Sequence, residues 1–176
     1  VYQPEAEELV FNIHSKSGKL KLYISSSGNH AGIYLSSESY SNPANPSAFC
    51  MLLRKHLQSG RITDVKQVGS ERIAEIYIET MDELGFNVNK KLVVEIMGKH
   101  SNIIFCQPDM TIIDSIKHIS ANVSSVREVL PGRPYFIAET QHKLNPLEIN
   151  EETFIGEVLS QPLSVGKAIY TMITGI

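Results

Sequence analysis

The chain has 176 residues, of which 42% are hydrophobic and 20% are charged, and its formal net charge is −3. This length is typical of one domain, or of one domain and the start of the next, and it is enough to bury a core without disulfide bonds. The small negative charge excludes an attraction to nucleic acid by the chain as a whole. Any RNA contact must therefore come from a local basic patch.

The two cysteines bear on the redox compartment and on metal binding. Cys50 and Cys106 each lie in an apolar run, and we expect two buried free thiols rather than a disulfide. Two cysteines without paired spacing also argue against a structural zinc site. The sequence has no signal-peptide pattern, no lipidation signal and no apolar run of about 18 residues, so we expect no membrane insertion. It begins at Val1 rather than Met and ends within apolar sequence, which indicates a fragment of a longer protein.

The first half of the chain has the two-residue periodicity of β-strands. Apolar residues alternate with polar ones over residues 8–13 and again over 19–24, and the polar, glycine-containing segment 15–18 lies between them. This pattern predicts a β-hairpin. A third strand is predicted over residues 32–35, followed by a loop rich in Ser, Asn and Pro over residues 36–46.

One helix is predicted within this β-rich region. It begins near Pro46, because proline is tolerated in the first helical turn, and it ends at Gly60. Its apolar residues recur at helical spacing, which places Arg54 and Lys55 on the exposed face. Further strands are then predicted over residues 61–68, 72–78, 91–97, 102–105 and 111–120.

The periodicity changes again near the C-terminus. Apolar residues at helical spacing predict a helix over residues 147–159 and a second helix over residues 164–173. We therefore predict an α+β fold, mainly of antiparallel β-strands, with one internal helix and C-terminal helices. Residues 1–145 are predicted to form the β-rich domain, and residues 146–176 the start of a helical region.

The sequence offers no recognisable catalytic constellation. Its six histidines share no HxH or HExxH spacing, and the chain has no GxSxG, Walker A or GxGxxG motif. These absences disfavour metal-dependent and nucleotide-hydrolysing chemistry. We therefore predict a non-enzymatic binding module without a cofactor or a metal site.

Four polar stretches are candidates for contact with an anion or a nucleic acid. Glu71-Arg72 follows a Gly-Ser turn, where an arginine can present its forked donors to a phosphate; a solvated turn pair is the alternative. The turn that carries Lys99 and His100 could bind an anion, or be an ordinary hairpin turn. The other two stretches are equally compatible with a solvated surface, and they are the basic helix face Arg54-Lys55-His56 and the segment with Ser124, Ser125, Arg127 and Arg133.

Three stretches are long enough to compare with a protein family. The first is FCMLLRKHL at residues 49–57, the second is VEIMGKHSNII at residues 94–104, and the third ends in LPGRPY at residues 130–135. Together they resemble the NFACT family, which includes RqcH-type factors and FbpA/PavA-like fibronectin-binding proteins. The resemblance follows the family's order and spacing from about Gln3 to the C-terminus.

The resemblance implies a fold and two functions. The fold is similar to the N-terminal β-sandwich of the formamidopyrimidine-DNA glycosylases, followed by a helix-two-turn-helix-like region. Those glycosylases use a free N-terminal proline as nucleophile, whereas the nitrogen of Pro4 is part of a tertiary amide, so this chemistry is excluded. RqcH-type factors act in the cytoplasm, bind stalled large ribosomal subunits and tRNA, and direct alanine tailing of the nascent chain. Other members are described as fibronectin- and fibrinogen-binding adhesins that are displayed on the surface without a signal peptide or anchor.

The resemblance also implies which residues contact tRNA. The family's Asp-Arg pair falls on Glu71 and Arg72, so Arg72 is expected to be the main tRNA contact, and the longer Glu71 replaces an aspartate. Host fibronectin or fibrinogen is the alternative partner, for which the sequence indicates no binding residues. Further RNA or partner contacts are predicted at Arg54, Lys55, Lys99, His100, Arg127 and Arg133.

Overall fold

The computed structural model describes residues 1–137 and 143–173, and this part of the chain contains two antiparallel sheets. The first sheet has the strand order β1-β2-β3, with β1 at Glu8–Ser15, β2 at Gly18–Ser25 and β3 at Gly32–Ser36. The second sheet has the order β4-β5-β6-β7-β8, and its strands are Arg61–Gln67, Ile73–Met81, Asn87–Glu95, Asn102–Cys106 and Ile112–Ser115. The predicted α+β class with mainly antiparallel strands is confirmed.

Helices occupy the connection between the sheets and the C-terminal part. Helix α1 spans Ala48–Leu57, and helix α3 spans Val165–Met172. Between them, the short helix α2 (Glu151–Thr153) continues directly into a π-helical segment, Phe154–Leu159. One turn of 3₁₀ helix, Gly98–His100, connects β6 to β7.

Helix α1 begins and ends close to the predicted positions, for identifiable reasons. The hydroxyl oxygen of Ser47 accepts a hydrogen bond from the N–H of Cys50 (3.1 Å), which makes Ser47 the N-cap. The helix ends at Leu57, and Ser59 adopts the left-handed conformation with φ 62°. Gly60 then packs so closely that a Cβ would lie 3.1 Å from the side chain of Ile78. A larger residue at this position would therefore crowd its neighbours.

The main core lies between the two sheets and α1. Leu9 and Ile24 come from the first sheet, Leu53 comes from α1, and Ile76 and Phe105 come from the second sheet. A smaller cluster covers the opposite face of the second sheet, where Val129 and Tyr135 pack on Val93, Ile104 and Cys106. Strand β7 and residues 92–94 of β6 are therefore buried on both faces, which explains their continuous apolar runs. Both cysteines are buried free thiols, as expected.

Three element boundaries differ from the prediction by four or more residues. Strand β6 begins at Asn87, four residues before the predicted start, because β5 and β6 form a long hairpin with a short tip over residues 82–86. The carboxylate of Asp82 closes this tip by accepting hydrogen bonds from two backbone N–H groups (2.9 Å each). Strand β8 is shorter than predicted and ends at Ser115. At the C-terminus, Leu147 lies outside the helix and is 84% exposed.

The C-terminal helices form a small cluster of their own, built on Val158, Ala168 and Ile173. Asn145, which precedes these helices, accepts a hydrogen bond from the hydroxyl of Ser70 at its side-chain oxygen (3.0 Å). This contact lies in the β4–β5 turn, next to Glu71 and Arg72. The division of the chain at residues 145 and 146 stays a prediction.

Candidate functional site

The residues predicted to contact RNA lie at different ends of the second sheet. The register pairs Ile73 with Glu95 and Glu95 with Asn102, so the β4–β5 turn and the β6–β7 turn meet at one end. We call this the Arg72 end; it is formed by residues 68–72 and 97–101. The tip of the β5–β6 hairpin lies at the opposite end, about 26 Å away at the usual rise of a nine-residue strand.

Arg72 is exposed immediately before β5, at the close of the turn. Its carbonyl oxygen accepts a hydrogen bond from the N–H of Ile96 (2.8 Å), which fixes its backbone against the end of β6. The turn before it is closed by the N–H of Glu71, which donates to the carbonyl of Val68 (2.9 Å). Within the part of the chain that the structure describes, the guanidinium of Arg72 has no hydrogen-bond or ion-pair partner. Its backbone is therefore held while its charged group faces solvent.

Lys99 and His100 are exposed on the neighbouring turn of the same end. This turn is fixed by the hydroxyl oxygen of Ser101, which accepts a hydrogen bond from the N–H of Met97 (2.8 Å). The loop that follows β2 packs against it, since a Cβ on Gly28 would lie 3.4 Å from the Cα of Lys99. Both sheets therefore contribute to the surface around Lys99.

Buried polar side chains are concentrated beneath the Arg72 end. Asn102 is the clearest case: its amide nitrogen donates to the carbonyl of Lys117 (2.9 Å), and its amide oxygen accepts from the N–H of Lys117 (3.1 Å). No buried side-chain nitrogen or oxygen among the described residues lacks a partner. Six of the eight buried polar residues recorded in the described part of the chain lie here, and they are Ser25, Ser26, Glu95, Ser101, Asn102 and Ser115. Satisfied buried polar groups of this kind make the surface loops above them rigid.

Arg127 was predicted on a basic edge, but the structure directs its side chain inward. Its Nη2 lies 2.7 Å and 2.6 Å from the two carboxylate oxygens of Glu95, which is fully buried. The hydroxyl of Tyr135 donates to the same carboxylate (3.0 Å), and Nη1 of Arg127 donates to the carbonyl of Phe136 (2.8 Å). Burial opposes the charge on Arg127, yet the hydrogen bond and charge of Glu95 leave its pKa raised. Burial together with the negative charge of Glu95 raises the pKa of Tyr135.

The basic face of α1 lies toward the other end of the sheet. Lys55 is exposed and forms an ion pair with Glu83 of the hairpin tip (2.7 Å). The sequence analysis placed Arg54 on the exposed face of α1, and this is wrong in part: Arg54 is half-buried against the N-terminal segment. Its Nε donates to the carbonyl of Val1 (2.7 Å), and its guanidinium lies over the ring of Tyr2.

A shallow cavity of about 380 Å³ lies beside the hairpin tip. His56 and Lys90 are among its lining residues. Burial and the nearby charges of Lys90 and Lys55 lower the pKa of His56, and burial lowers the pKa of Lys90. The amine of Lys90 donates to the side chain of Gln107 (2.5 Å), so the cavity does not offer it as a free cation.

Arg133 lies apart from both groups, beside the start of β8. It is exposed, and its Nε lies 3.0 Å from a carboxylate oxygen of Glu128. The structure therefore brings together Arg72, Lys99 and His100, and leaves Lys55 and Arg133 elsewhere. The sequence analysis did not include Glu95, Asn102 and Lys117 among the candidate site residues. For the first two, the available signal was a polar residue bordering an apolar strand.

Metal binding and membrane crossing are two further functions to consider. Among residues 1–137 and 143–173, no group of three or more His, Cys, Asp or Glu side chains is placed to hold a metal ion. His142 lies outside the described residues. None of the described helices has the length and apolar character that a membrane crossing requires.

Comparison with known sequences gives one family. The model of the family described as NFACT N-terminal and middle domains matches residues 1–176. The chain is 36% identical over 177 residues to the Rqc2 homolog RqcH of Bacillus subtilis, which covers 100% of this chain and 31% of that protein. It is also 36% identical over 165 residues to RqcH of Streptococcus suis, which covers 93% of this chain and 30% of that protein. The chain therefore spans about a third of the length of these curated relatives.

Solved structures give the same fold. The N-terminal part of the fibronectin/fibrinogen-binding protein of Streptococcus suis matches 99% of this chain and 66% of its own, with a TM-score of 0.86 and 36% identity. The N-terminal domain of the fibronectin-binding protein PavA of Streptococcus pneumoniae matches 99% of this chain and 65% of its own, with a TM-score of 0.86 and 35% identity. These relatives are named either as RqcH homologues or as fibronectin- or fibrinogen-binding proteins.

Proposed function

The chain belongs to the NFACT family, in its N-terminal and middle domains, and from this premise we propose that it is the N-terminal binding module of an RqcH-type ribosome-associated quality-control factor. In the full-length protein it binds tRNA on stalled large ribosomal subunits and so supports alanine tailing of the nascent chain. The module itself is non-enzymatic and acts in the cytoplasm. Arg72 makes the main contact, with a phosphate of the tRNA, and Glu71 lies beside it.

The observation that carries this proposal is the position of Arg72. Its guanidinium is exposed and has no partner within the described residues, while its carbonyl is held by the N–H of Ile96. An arginine presented in this way can donate two parallel hydrogen bonds to a phosphate. Lys99 and His100, on the adjacent turn, add positive charge along the same surface. This local arrangement supports RNA contact even though the chain carries a net charge of −3.

The fold suggests how the module is divided. We propose that residues 1–145 form a β-rich unit similar to the N-terminal domain of the formamidopyrimidine-DNA glycosylases, and that residues 146–176 begin the helical region that follows. Asn145, the last residue of the β-rich unit, accepts a hydrogen bond from Ser70 in the β4–β5 turn, next to Arg72.

The test is tRNA binding by the 176-residue chain and by its Arg72→Ala variant over a range of salt concentrations. We expect the variant to bind about tenfold more weakly, because a hydrogen bond to a charged group contributes roughly 1.5 kcal/mol or more. The slope of log K against log salt concentration should also become shallower by about one, because one phosphate contact is lost. Lys16→Ala, at an exposed hairpin turn of the first sheet, is the matched control and should bind as the parent does.

Two results would count against this assignment. The first is equal tRNA affinity for the parent and Arg72→Ala. The second is normal alanine tailing by full-length protein that carries Arg72→Ala, since the contact would then not matter for the reaction.

The second candidate function is binding of fibronectin or fibrinogen by a surface-displayed form of the protein. Two structural relatives are named for such binding. Strand β4 offers a plausible surface, because it is an edge strand and all seven of its residues are exposed. An extended peptide can add to such an edge through main-chain hydrogen bonds. We expect the isolated chain to bind immobilised fibronectin saturably, and we expect Val65→Pro to abolish this binding. Absence of saturable binding by the parent chain would rule out this function for the chain.

A further inference from the structure

Glu95, Arg127 and Tyr135 form a buried polar cluster that takes no direct part in the proposed RNA contact. Glu95 is fully buried, and only 14% of the Arg127 side chain is exposed. Well-packed hydrophobic residues of similar volume often stabilise a protein as well as a buried ion pair does, or better. Stability alone is therefore a weak explanation for this cluster, and a role in fixing local geometry explains it better.

The cluster is connected to Arg72 through the main chain. Glu95 is the last residue of β6 and lies opposite Ile73, which directly follows Arg72. The next residue, Ile96, donates its N–H to the carbonyl of Arg72 (2.8 Å). Glu95, whose carboxylate binds Arg127, is thus the sequence neighbour of Ile96, whose N–H holds the carbonyl of Arg72.

The cluster also fixes the segment that covers this part of the sheet. Arg127 contacts Glu95 through one guanidinium nitrogen and the carbonyl of Phe136 through the other. Tyr135 packs its ring in the smaller core cluster and directs its hydroxyl to Glu95. Arg127 and Tyr135, which follow Glu95 by 32 and 40 residues in the sequence, therefore converge on the end of β6.

We propose that Glu95, Arg127 and Tyr135 are positioning residues, which hold the backbone at Arg72 so that its guanidinium is presented to an RNA phosphodiester. This role rests on the proposed function. The cluster itself is buried and does not touch the RNA. It acts through the N–H of Ile96, directly after β6, which donates to the carbonyl of Arg72. Loss of the cluster should consequently loosen the Arg72 end while the first sheet stays intact.

The first experiment measures amide hydrogen exchange in the 176-residue chain, and so needs no RNA. In Arg127→Lys, we expect the amide of Ile96 to exchange at least tenfold faster, with the amides of β1 and β2 unchanged. Tyr135→Phe keeps the ring and removes only the hydroxyl, so it gives a milder version of the same result if Arg127→Lys does not fold. Unchanged exchange at Ile96 in a folded variant, or equal acceleration in both sheets, would overturn the proposal.

The second experiment combines the variants in a tRNA-binding cycle. We expect Arg127→Lys to weaken binding nearly as much as Arg72→Ala, and the double variant to bind no more weakly than Arg72→Ala alone. Arg61→Lys, an exposed arginine that pairs with Glu79 toward the other end of β5, is the matched control. If the loss of tRNA affinity in the double variant equals the product of the losses in the two single variants, the two residues act independently and the positioning role is overturned. A parent chain that binds no tRNA would contradict the proposed function instead, and the exchange experiment would then decide the positioning role by itself.

Discussion

The Nζ atom of Lys117 donates a 2.6 Å hydrogen bond to the carbonyl oxygen of Ser26, and this bond joins the two sheets. Lys117 follows β8 of the second sheet, whereas Ser26 follows β2 of the first. The backbone of Lys117 is itself held on both sides by the amide of Asn102. The relative position of the sheets at the Arg72 end therefore depends on a lysine that is used inside the protein.

Lys117→Met should lower the free energy of unfolding by about 1–2 kcal/mol. The substitution keeps the apolar stem but removes a hydrogen bond from a charged donor. The ion pair with Glu7 (2.9 Å) is partly exposed and adds little. Urea denaturation of the parent, of Lys117→Met and of the exposed control Lys16→Met measures this difference; equal destabilisation by both changes would contradict the internal role of Lys117.

Helix α1 should respond very differently to changes on its two faces. Leu53 is fully buried, so Leu53→Ala should cost about 2–5 kcal/mol of unfolding free energy through lost transfer energy and a cavity. Met51 is half exposed on the same helix, and Met51→Ala should stay within about 0.5 kcal/mol of the parent. Thermal and chemical denaturation check both values. Similar losses for the two variants would mean that α1 does not pack as described.

His56 should make the folded chain less stable as the pH falls below about 6.5, the usual pKa of histidine in an unfolded chain. Burial, with the charges of Lys90 and Lys55, lowers its pKa in the folded state. At mildly acidic pH the unfolded chain therefore binds more protons than the folded chain, and protonation favours unfolding. The free energy of unfolding, measured from pH 7.5 to pH 5, should fall less steeply in His56→Gln than in the parent. Parallel pH profiles for the two proteins would rule out this contribution.

The thiol of Cys106 should be unreactive in the folded chain. Burial raises its pKa to about 12, so the thiolate, which is the reactive form, is scarce at pH 8. Cys50 is also buried. A coloured disulfide reagent should label neither cysteine of the native chain on the time scale of mixing and both cysteines in denaturant. Rapid labelling of one thiol under native conditions would show that its cover opens readily.

The sequence predicted those parts of the fold whose signals are local. Alternation of apolar and polar residues predicts the β1–β2 hairpin, because each side chain of a strand faces the opposite side from its neighbour. The helical spacing of apolar residues predicts α1, because residues three or four apart lie on the same face of a helix. The start of β6 was missed by four residues because three of its first four residues, Asn87, Asn89 and Lys90, are polar. Their pairing with β5 comes from the hairpin register.

The candidate site was only partly accessible in this way. Arg72 stands out because an arginine beside a turn has a recognisable chemistry and a counterpart in the family. The sequence does not distinguish it from Arg127, which also lies in a polar segment near a turn. The difference arises because Glu95, 32 residues away, is buried at the end of β6 and requires a cation beside it.

By itself, the sequence determined the strand and helix pattern, the buried thiols and the resemblance to a family. These properties depend on neighbouring residues and on side-chain type. Only the tertiary structure decided that Arg54, Lys117 and Arg127 are engaged within the protein while Arg72 and Lys99 face solvent together. The exposure of a charged group depends on which distant backbone oxygens and carboxylates the fold brings within hydrogen-bonding distance, and this information is not contained in local sequence.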